Sequence, residues 1–323
     1  MCTAVSFKTK DHYFGRNLDL EYSYNEVVTI TPRNYSFAFR NGKVLQNHYT
    51  IIGMATVVED YPLYYEATNE KGLSLAGLNF PQNAVYYPPK ENADNITPFE
   101  LIPWLLGSCK TVEEAEGKLQ NVNLINISFS KEYPLSPLHW FLADSCRSVV
   151  IEQTESGLQV YDNPVGVLTN EPPFPYHMTN LSNYLHVTSQ EAENHFAPSL
   201  PLKAYSRGIG GMGLPGDLSS VSRFVKAAFT KMNSVSKDAE SASISQVFHI
   251  LGSVAQQQGC VKIGHLYEKT IYASCCNTTK GIYYYTTYEN HQITGVRLHG
   301  YDLDSDALAR FPLVKGQQIR MEN

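Results

Sequence analysis

A cysteine directly follows the initiator methionine of this chain. An initiator methionine is normally removed when the next residue is small, so processing would leave Cys2 with a free α-amino group. A thiol of pKa about 8.5 is mostly protonated at neutral pH, whereas an α-amine near about 7.7–8.0 accepts its proton readily. A nucleophile paired with an N-terminal amine is a known catalytic arrangement. Position alone nevertheless leaves the alternative open that Cys2 is a buried apolar residue of an edge strand.

Arg16 and Asp19 follow Cys2 at sequence spacings that a short β-hairpin spans. Residues 3–7 and 12–16 read as two strands, so the return strand can bring the guanidinium of Arg16 to the Cys2 thiol. Positive charge there favours both a thiolate and a neutral amine. Strand alternation predicts that Asp19 lies on the face opposite Arg16 unless the strand bends. From its position alone, the alternative is that Arg16 is an ordinary surface arginine.

Strands and helices come in blocks along the chain. β-Branched and aromatic enrichment, capping signals and helical spacing of apolar residues carry this reading. The predicted strands cover residues 3–7, 12–16, 26–31, 49–58, 138–143, 148–153, 158–161, 281–288 and 292–298. The predicted helices cover residues 98–107, a segment that starts after Thr111, and residues 218–232 and 243–257. Such blocks are typical of antiparallel sheets covered by helix layers, and the absence of repeats and linkers predicts one domain, residues 1–323.

Composition and charge exclude several classes of partner. The 323 residues include 25 Lys and Arg against 31 Asp and Glu, with no basic run, so nucleic acid is not an expected partner. No uncharged apolar stretch approaches the ~18 residues that span a bilayer, so no membrane partner is expected either. Lys8 and Lys10 follow the first short apolar run instead of preceding it, which is the wrong order for a secretory signal. We therefore expect a cytoplasmic protein.

The cysteines, histidines and glycines indicate neither a metal site nor a cofactor. The six cysteines are scattered, and the adjacent Cys275 and Cys276 are interpreted as buried strand residues. The ten histidines form no His-x-x-x-His or His-Glu-x-x-His pair. Residues 208–213 resemble a dinucleotide-binding loop, but no apolar strand precedes them and Pro215 interrupts the following helix. No metal and no cofactor are expected.

Several separate motifs, in order along the chain, identify it as resembling the choloylglycine hydrolase family of N-terminal nucleophile hydrolases. They are Met-Cys-Thr at residues 1–3, Phe-Gly-Arg-Asn-Leu-Asp at 14–19, Asn-Glu-Lys-Gly-Leu at 69–73, Gly-Leu-Asn-Phe at 77–80, Gly-Val-Leu-Thr-Asn at 166–170 and Leu-Pro-Gly-Asp-Leu-Ser-Ser-Val-Ser-Arg-Phe at 214–224. The resemblance implies an α+β fold, a four-layer αββα sandwich of antiparallel sheets. It also implies a homotetramer.

The same resemblance assigns catalytic roles to individual residues. It implies that Cys2 attacks an amide carbonyl to form a thioester acyl-enzyme, that Arg16 lies at the thiol and that Asp19 lies against the Cys2 amine. The oxyanion donors would be the side-chain amide of Asn170 and the backbone N–H of Asn79. Arg223 resembles the second active-site arginine of the family. Without the resemblance, Asn170 would read as a turn residue before Glu-Pro-Pro and Arg223 as half of a helix-surface ion pair.

Substrate choice depends on fewer residues. Bile salt hydrolases and penicillin V acylases share the catalytic set, but the former tend to carry Asn and the latter Tyr at the place of Asn79. The expected substrates are therefore conjugated bile salts, cleaved at the amide to glycine or taurine. A penicillin V acylase and a non-catalytic sterol or fatty-amide binding protein are the alternatives.

A bile salt needs an apolar groove for its steroid ring system. The predicted substrate-binding residues are Leu18, Leu20, Tyr65 and Asn79. Further candidates are the rest of the aromatic stretch 61–65, and residues 139–141 beyond a loop over 127–138.

Overall fold

The computed structural model describes the whole chain, residues 1–323. In chain order, the strands are β1 Cys2–Lys8, β2 His12–Leu20, β3 Val27–Thr31, β4 Phe37–Ala38, β5 Val44–Leu45, β6 Ile51–Val58, β7 Tyr61–Asn69, β8 Ser74–Asn79, β9 Asp94–Ile96, β10 Val122–Leu124, β11 Leu138–Ala143, β12 Ser148–Thr154, β13 Gly157–Asp162, β14 Val167–Leu168, β15 Val261–Ile263, β16 Leu266–Asn277, β17 Ile282–Thr287, β18 Asn290–Arg297 and β19 Ala309–Pro312. The α-helices are α1 Leu101–Leu106, α2 Val112–Leu119, α3 Phe174–Asn180, α4 Ser220–Met232 and α5 Glu240–Gly252. Short 3₁₀ turns occupy Leu181–Tyr184, Ile209–Gly211 and Leu298–Gly300.

Two large antiparallel sheets form the centre of the molecule. The first sheet has the order β14-β1-β2-β16-β17-β18, with β15 paired to β16, and the second has the order β13-β12-β11-β8-β7-β6-β3-β19. Helices α4 and α5 pack on the first sheet, α3 packs against α4, and α1 and α2 pack on the second sheet. The predicted four-layer αββα sandwich is therefore confirmed.

Two apolar cores hold these layers together. The larger core joins inward side chains of both sheets to helices α4 and α5, and the rings of Phe14 and Phe141 stack across the sheet interface with centroids 5.3 Å apart. The smaller core packs the outer face of the second sheet against α1 and α2, with Trp140 and Leu105 among its buried members. Strands in the middle layers are buried on both faces, which explains why β1 and β2 carry almost no exposed residue.

The N-terminal hairpin occupies the centre of the first sheet. In the register of β1 and β2, Cys2 lies opposite Leu18 and Ala4 lies opposite Arg16. β14 pairs with β1 at Ala4 and Val5, and β16 pairs with β2, so the hairpin has a neighbouring strand on each side. The predicted strands over 3–7 and 12–16 are confirmed, and β2 continues to Leu20.

Local sequence signals predict the start of α2 correctly but place the start of α1 too early. α2 starts after Thr111 as predicted, because Thr111 Oγ1 accepts from the N–H of Glu114 at 3.2 Å. α1 starts later than the predicted residue 98, since the Glu100 N–H donates to the Thr97 carbonyl at 3.0 Å, a turn bond, and the Glu100 carboxylate accepts from the Thr97 N–H at 3.0 Å. Those bonds hold the preceding residues in a turn.

α5 begins and ends earlier than the predicted 243–257. Beyond it, the backbone of Gln256 pairs with Thr270 of β16: the Gln256 N–H donates to Thr270 Oγ1 at 2.8 Å, and the Thr270 N–H donates to the Gln256 carbonyl at 3.0 Å. A contact distant in sequence therefore ends the helix.

No helix is long and apolar enough to cross a membrane, and the longest, α4 and α5, have 13 residues each. All six cysteines are free thiols. Cys275 and Cys276 are buried in β16, as predicted.

Candidate active site

The thiol of Cys2 lies beside the guanidinium of Arg16 in the interior of the protein. Arg16 Nη2 donates to Cys2 Sγ at 2.6 Å, and Cys2 is only 3% exposed. Arg16 Nη1 also donates to the carbonyl oxygens of Tyr65 at 3.0 Å and Gly77 at 2.8 Å. The arginine is thus fixed by the second sheet while it contacts a residue of the first, and it is not a surface arginine.

A buried glutamate lies behind Arg16. Glu66 Oε2 is 3.6 Å from Arg16 Nη1, and the carboxylate accepts from Tyr272 Oη at 2.7 Å, from Ser274 Oγ at 2.9 Å and from Tyr283 Oη. Burial raises the pKa of Glu66, while Arg16 and the three hydroxyl donors oppose that shift. The sequence analysis missed Glu66, and its only signal was a charged residue within an otherwise apolar strand.

Asn170 connects α4 and the end of β8 to the Cys2 backbone. Its Oδ1 accepts from the Cys2 N–H at 2.8 Å and from Arg223 Nη2 at 2.8 Å. Its Nδ2 donates to the Asn79 carbonyl at 2.8 Å, which uses one of the two hydrogens of that amide. Ser220 Oγ accepts from the Asn170 N–H at 2.8 Å. Asn170 is buried among these partners, which argues against a simple turn residue.

The backbone amide of Asn79 points away from its neighbouring strand. The Asn79 carbonyl bonds Asn170, and the N–H of its register partner Leu138 donates to Tyr86 Oη at 2.8 Å. Asn79 and Leu138 therefore form a pair without mutual hydrogen bonds, and in such a pair each N–H points away from the partner strand. The pairing of β7 with β8 already ends at Ala76. The Asn79 N–H is consequently directed to the unpaired edge of β8.

Arg223 projects from α4 onto the start of β1. Its Nη1 donates to the Cys2 carbonyl at 2.5 Å and to Thr3 Oγ1 at 2.7 Å, and its Nε donates to the Leu218 carbonyl at 2.9 Å. The side chain is buried and forms no salt bridge, so the alternative of a helix-surface ion pair is wrong. Burial lowers the pKa of Arg223, and the nearby negative charge of Asp19 opposes that shift. Thr3 was not among the predicted residues.

Asp19 lies on the face of β2 opposite Arg16, as strand alternation predicts. Its Oδ1 accepts from Thr270 Oγ1 at 2.6 Å, and its Oδ2 has no hydrogen-bond partner. Its backbone N–H donates to the Met1 carbonyl at 2.9 Å, and the Met1 ammonium bonds the Asp19 carbonyl at 2.6 Å and the Glu268 carboxylate. Burial raises the pKa of Asp19, while Arg223 and the N-terminal amine oppose the shift.

A cavity of about 410 Å³, here called the Cys2 cavity, opens onto the thiol. Cys2 and Arg16 line it, together with all four predicted substrate-binding residues, Leu18, Leu20, Tyr65 and Asn79. Leu63 and Trp140, from the further candidates 61–65 and 139–141, also line it, and walls that were not predicted come from Tyr24, Phe99, Ile102, Phe129, Tyr133 and Leu135. Most residues that line the cavity are apolar, and Glu21 and Glu132 join Arg16 as its charged lining residues.

Some of the further candidates lie elsewhere. Residues 61–65 belong to β7, and Tyr61 packs its ring against Phe37 and Phe129 without lining the cavity. His139 is also buried away from the cavity, since its ring nitrogens bond Glu152 and the Thr169 carbonyl. His139 and Trp140 are neighbours in β11, and the side chains of successive strand residues point to opposite faces. Trp140 therefore lines the cavity and His139 does not.

This arrangement suits nucleophilic attack on a carbonyl carbon. The thiol is buried, and it contacts the fixed positive charge of Arg16. One N–H of the Asn170 amide is unused while its Oδ1 bonds the Cys2 N–H, and Asn79 lines the same cavity as Cys2, so both amides are candidate donors to an oxygen that gains charge. The apolar walls would hold the acyl part of a substrate against the sulfur.

The chain is similar to known proteins over nearly its full length. Residues 2–311 match the family model described as linear amide C–N hydrolases, choloylglycine hydrolase family. The chain is 55% identical over 314 residues to a bile salt hydrolase/transferase of Lactiplantibacillus plantarum, and the match covers 97% of each protein.

Two solved structures extend this similarity. The fold matches the crystal structure of the C2A mutant of the conjugated bile acid hydrolase from Clostridium perfringens with a TM-score of 0.93 and 37% identity, covering 100% of both chains. It matches the penicillin V acylase from Agrobacterium tumefaciens with a TM-score of 0.76 and 17% identity, covering 98% of this chain and 92% of that one. At that identity, the second match shows a shared fold alone.

Proposed function

The chain belongs to the choloylglycine hydrolase family of linear amide C–N hydrolases, and we propose from that membership that it is a bile salt hydrolase that releases glycine or taurine from conjugated bile acids. One observation carries this proposal: the Cys2 thiol, held at 2.6 Å from the Arg16 guanidinium, lies at the wall of an apolar cavity of about 410 Å³. That cavity size falls within the range of small-molecule sites, about 300–1,000 Å³. The similarity to a bile salt hydrolase/transferase supports the substrate class.

In the proposed acylation step, Cys2 acts as the nucleophile. Once Met1 is removed, the α-amine of Cys2 takes the thiol proton, and the sulfur forms a bond to the amide carbon. The carbonyl oxygen becomes an oxyanion that accepts from Asn170 Nδ2 and the Asn79 N–H. Collapse of this intermediate breaks the C–N bond. The proton moves from the α-ammonium to the departing nitrogen, and glycine or taurine leaves a thioester on Cys2.

In the proposed deacylation step, water takes the place of the departed amino acid. The α-amine accepts a proton from the water as its oxygen attacks the thioester carbon. The same two donors stabilise the second oxyanion. The C–S bond then breaks, the sulfur regains a proton, and the free bile acid leaves.

The remaining site residues are proposed to position these groups. Arg16 stabilises the negative charge on sulfur, and Glu66 with its hydroxyl partners holds Arg16 in place. Arg223 fixes the oxygen of the Asn170 amide, so the nitrogen of that amide faces the reacting carbonyl. Asp19 has an unpartnered carboxylate oxygen beside the N-terminus, where it would hold the Cys2 amine after Met1 is removed.

Asn170 gives a prediction about turnover. Replacing Asn170 with alanine removes one oxyanion donor, so we expect kcat to fall by ~10²–10³, equivalent to ~3–4 kcal/mol, with a much smaller change in substrate binding. Steady-state kinetics on the folded fraction measure this. Ser220→Ala is the matched control, because it removes a buried partner of the Asn170 backbone and leaves the side-chain amide in place. Normal turnover by Asn170→Ala would contradict the assigned role.

The substrate gives a second prediction. We expect kcat/KM for glycine or taurine conjugates of cholic or deoxycholic acid to exceed that for penicillin V at least tenfold, a difference of ~1.4 kcal/mol. The reason is the wide apolar cavity with Asn79 at its wall, which suits a steroid better than a phenoxyacetyl group. Release of free amino acid from the conjugates and of phenoxyacetic acid from penicillin V is measured under matched conditions. A preference for penicillin V would assign the alternative function instead.

We also propose that the protein is a single-domain, cytoplasmic homotetramer. Six free thiols suit a reducing compartment. Large apolar side chains in one segment, Leu185, Phe196 and Tyr205, are each more than 80% exposed, which suits an interface between subunits. Light scattering of the purified protein measures the assembly.

A further inference from the structure

A second cavity lies on the other side of the first sheet. It has a volume of about 620 Å³ and lies between α5 and strands β16, β17 and β18. We call it the Gln256 cavity. It shares no lining residue with the Cys2 cavity. The proposed hydrolase mechanism uses none of its space.

Two buried carboxamides line this cavity with atoms that lack hydrogen-bond partners. Gln256 is 1% exposed, and neither its Nε2 nor its Oε1 has a partner. Asn17 is fully buried, and although its Nδ2 donates to the Leu251 carbonyl at 2.9 Å, its Oδ1 has no partner. Buried polar atoms are nearly always hydrogen-bonded, because leaving them unpaired is costly. Nε2 of Gln256 therefore carries two unpaired N–H donors, and Gln256 Oε1 and Asn17 Oδ1 are two unpaired acceptors, all on residues that line the cavity.

The backbone holds Gln256 in this position. Its N–H and carbonyl both bond Thr270, which also lines the cavity and donates to Asp19. These bonds replace the helical hydrogen bonds that the sequence pattern predicts for residues 253–257. A tertiary contact thus places the Gln256 side chain at the end of α5. Thr270 links the Gln256 backbone to the Asp19 carboxylate.

The rest of the lining is apolar or hydroxyl-bearing, apart from Gln257 and two histidines. Phe248, Ala255, Tyr288 and Ile293 supply apolar surface, and no Lys, Arg, Asp or Glu lines the cavity. His249 and His291 are exposed lining residues, at the solvent side. Neither an anion nor a cation would therefore find a buried counter-charge among the lining residues.

We propose that the Gln256 cavity is a binding site for a small uncharged molecule with a carboxamide or lactam group at one end and an apolar body. An unpaired carboxamide presents a donor and an acceptor side by side, and its two-point complement is another amide group. A ligand amide would pair with Gln256 through two hydrogen bonds, and a second ligand N–H would reach Asn17 Oδ1. The apolar body would pack on Phe248 and Ile293.

Benzamide is a suitable probe, because it joins a carboxamide to an apolar ring. We expect saturation-transfer NMR with the full-length protein to detect benzamide binding, and N,N-dimethylbenzamide, which has no N–H donor, to bind at least tenfold more weakly. Gln256→Leu should abolish the preference for benzamide over its dimethyl analogue. Equal binding of the two probes to the unsubstituted protein would overturn the proposal, as would no detectable benzamide binding at millimolar concentration.

A second variant blocks the cavity without removing a polar group. Gly252 lines the cavity at the end of α5, and a Cβ there meets no heavy atom within 4 Å. Gly252→Phe should therefore fold and abolish benzamide binding. Gly117→Phe is the matched control, since Gly117 lies in α2 with equally open surroundings. Benzamide binding that survives in Gly252→Phe would place the probe elsewhere, including the Cys2 cavity, and would overturn the assignment.

Discussion

Replacing Cys2 with alanine is expected to lower the hydrolysis of conjugated bile salts by several orders of magnitude while the protein stays folded. The substitution removes the sulfur that forms the acyl-enzyme, and loss of a covalent nucleophile costs most of the rate enhancement. The fold should survive, because Arg16 keeps its bonds to the carbonyls of Tyr65 and Gly77 when the thiol is lost. Only one buried heavy atom is removed.

Single-turnover and steady-state release of glycine measure this effect, with circular dichroism to monitor folding. Cys260→Ala is the matched control, because Cys260 is a free and exposed thiol outside the Cys2 cavity. We expect this control to retain full activity. Substantial activity in folded Cys2→Ala would move the nucleophile to another residue.

Retention of any residue before Cys2 is expected to lower activity about as strongly as the Cys2→Ala substitution does. In the form with Met1, the nitrogen of Cys2 is an amide that donates to Asn170 Oδ1 at 2.8 Å, and an amide nitrogen cannot accept the thiol proton. Met1 itself occupies the space between the Asp19 backbone and Glu268. Its removal would place the new amine beside these groups, where a base is needed.

A cleavable N-terminal tag tests this directly. A protease that cuts immediately before Cys2 converts one preparation into the mature form, so the two forms differ only at the N-terminus. We expect the uncut form to be at least ~10³-fold less active and cleavage to restore activity, with intact mass confirming each form. The same tag at the C-terminus controls for the protease treatment. Full activity with Met1 in place would eliminate the N-terminal amine as the base.

Local sequence signals predicted most of the elements that position the site. Alternation and turn residues predicted β1 and β2, and the capping pattern at Thr111 predicted the start of α2, because these signals act over a few neighbouring residues. The same alternation placed Asp19 opposite Arg16. The helical spacing of apolar residues failed to predict the end of α5, where the bonds of Gln256 to Thr270 outweigh that pattern.

The sequence by itself determined the residue types of the candidate site, since the motifs around Cys2, Arg16 and Asn170 are continuous in the chain. Only the tertiary structure decided what surrounds them. Glu66 meets Tyr272 across 206 positions in sequence, and Arg223 meets Thr3 across 220. Such pairs leave no periodic or spacing signal, because the free energy of a contact depends on distance in space and burial, which arise only when the two sheets and their helices pack together.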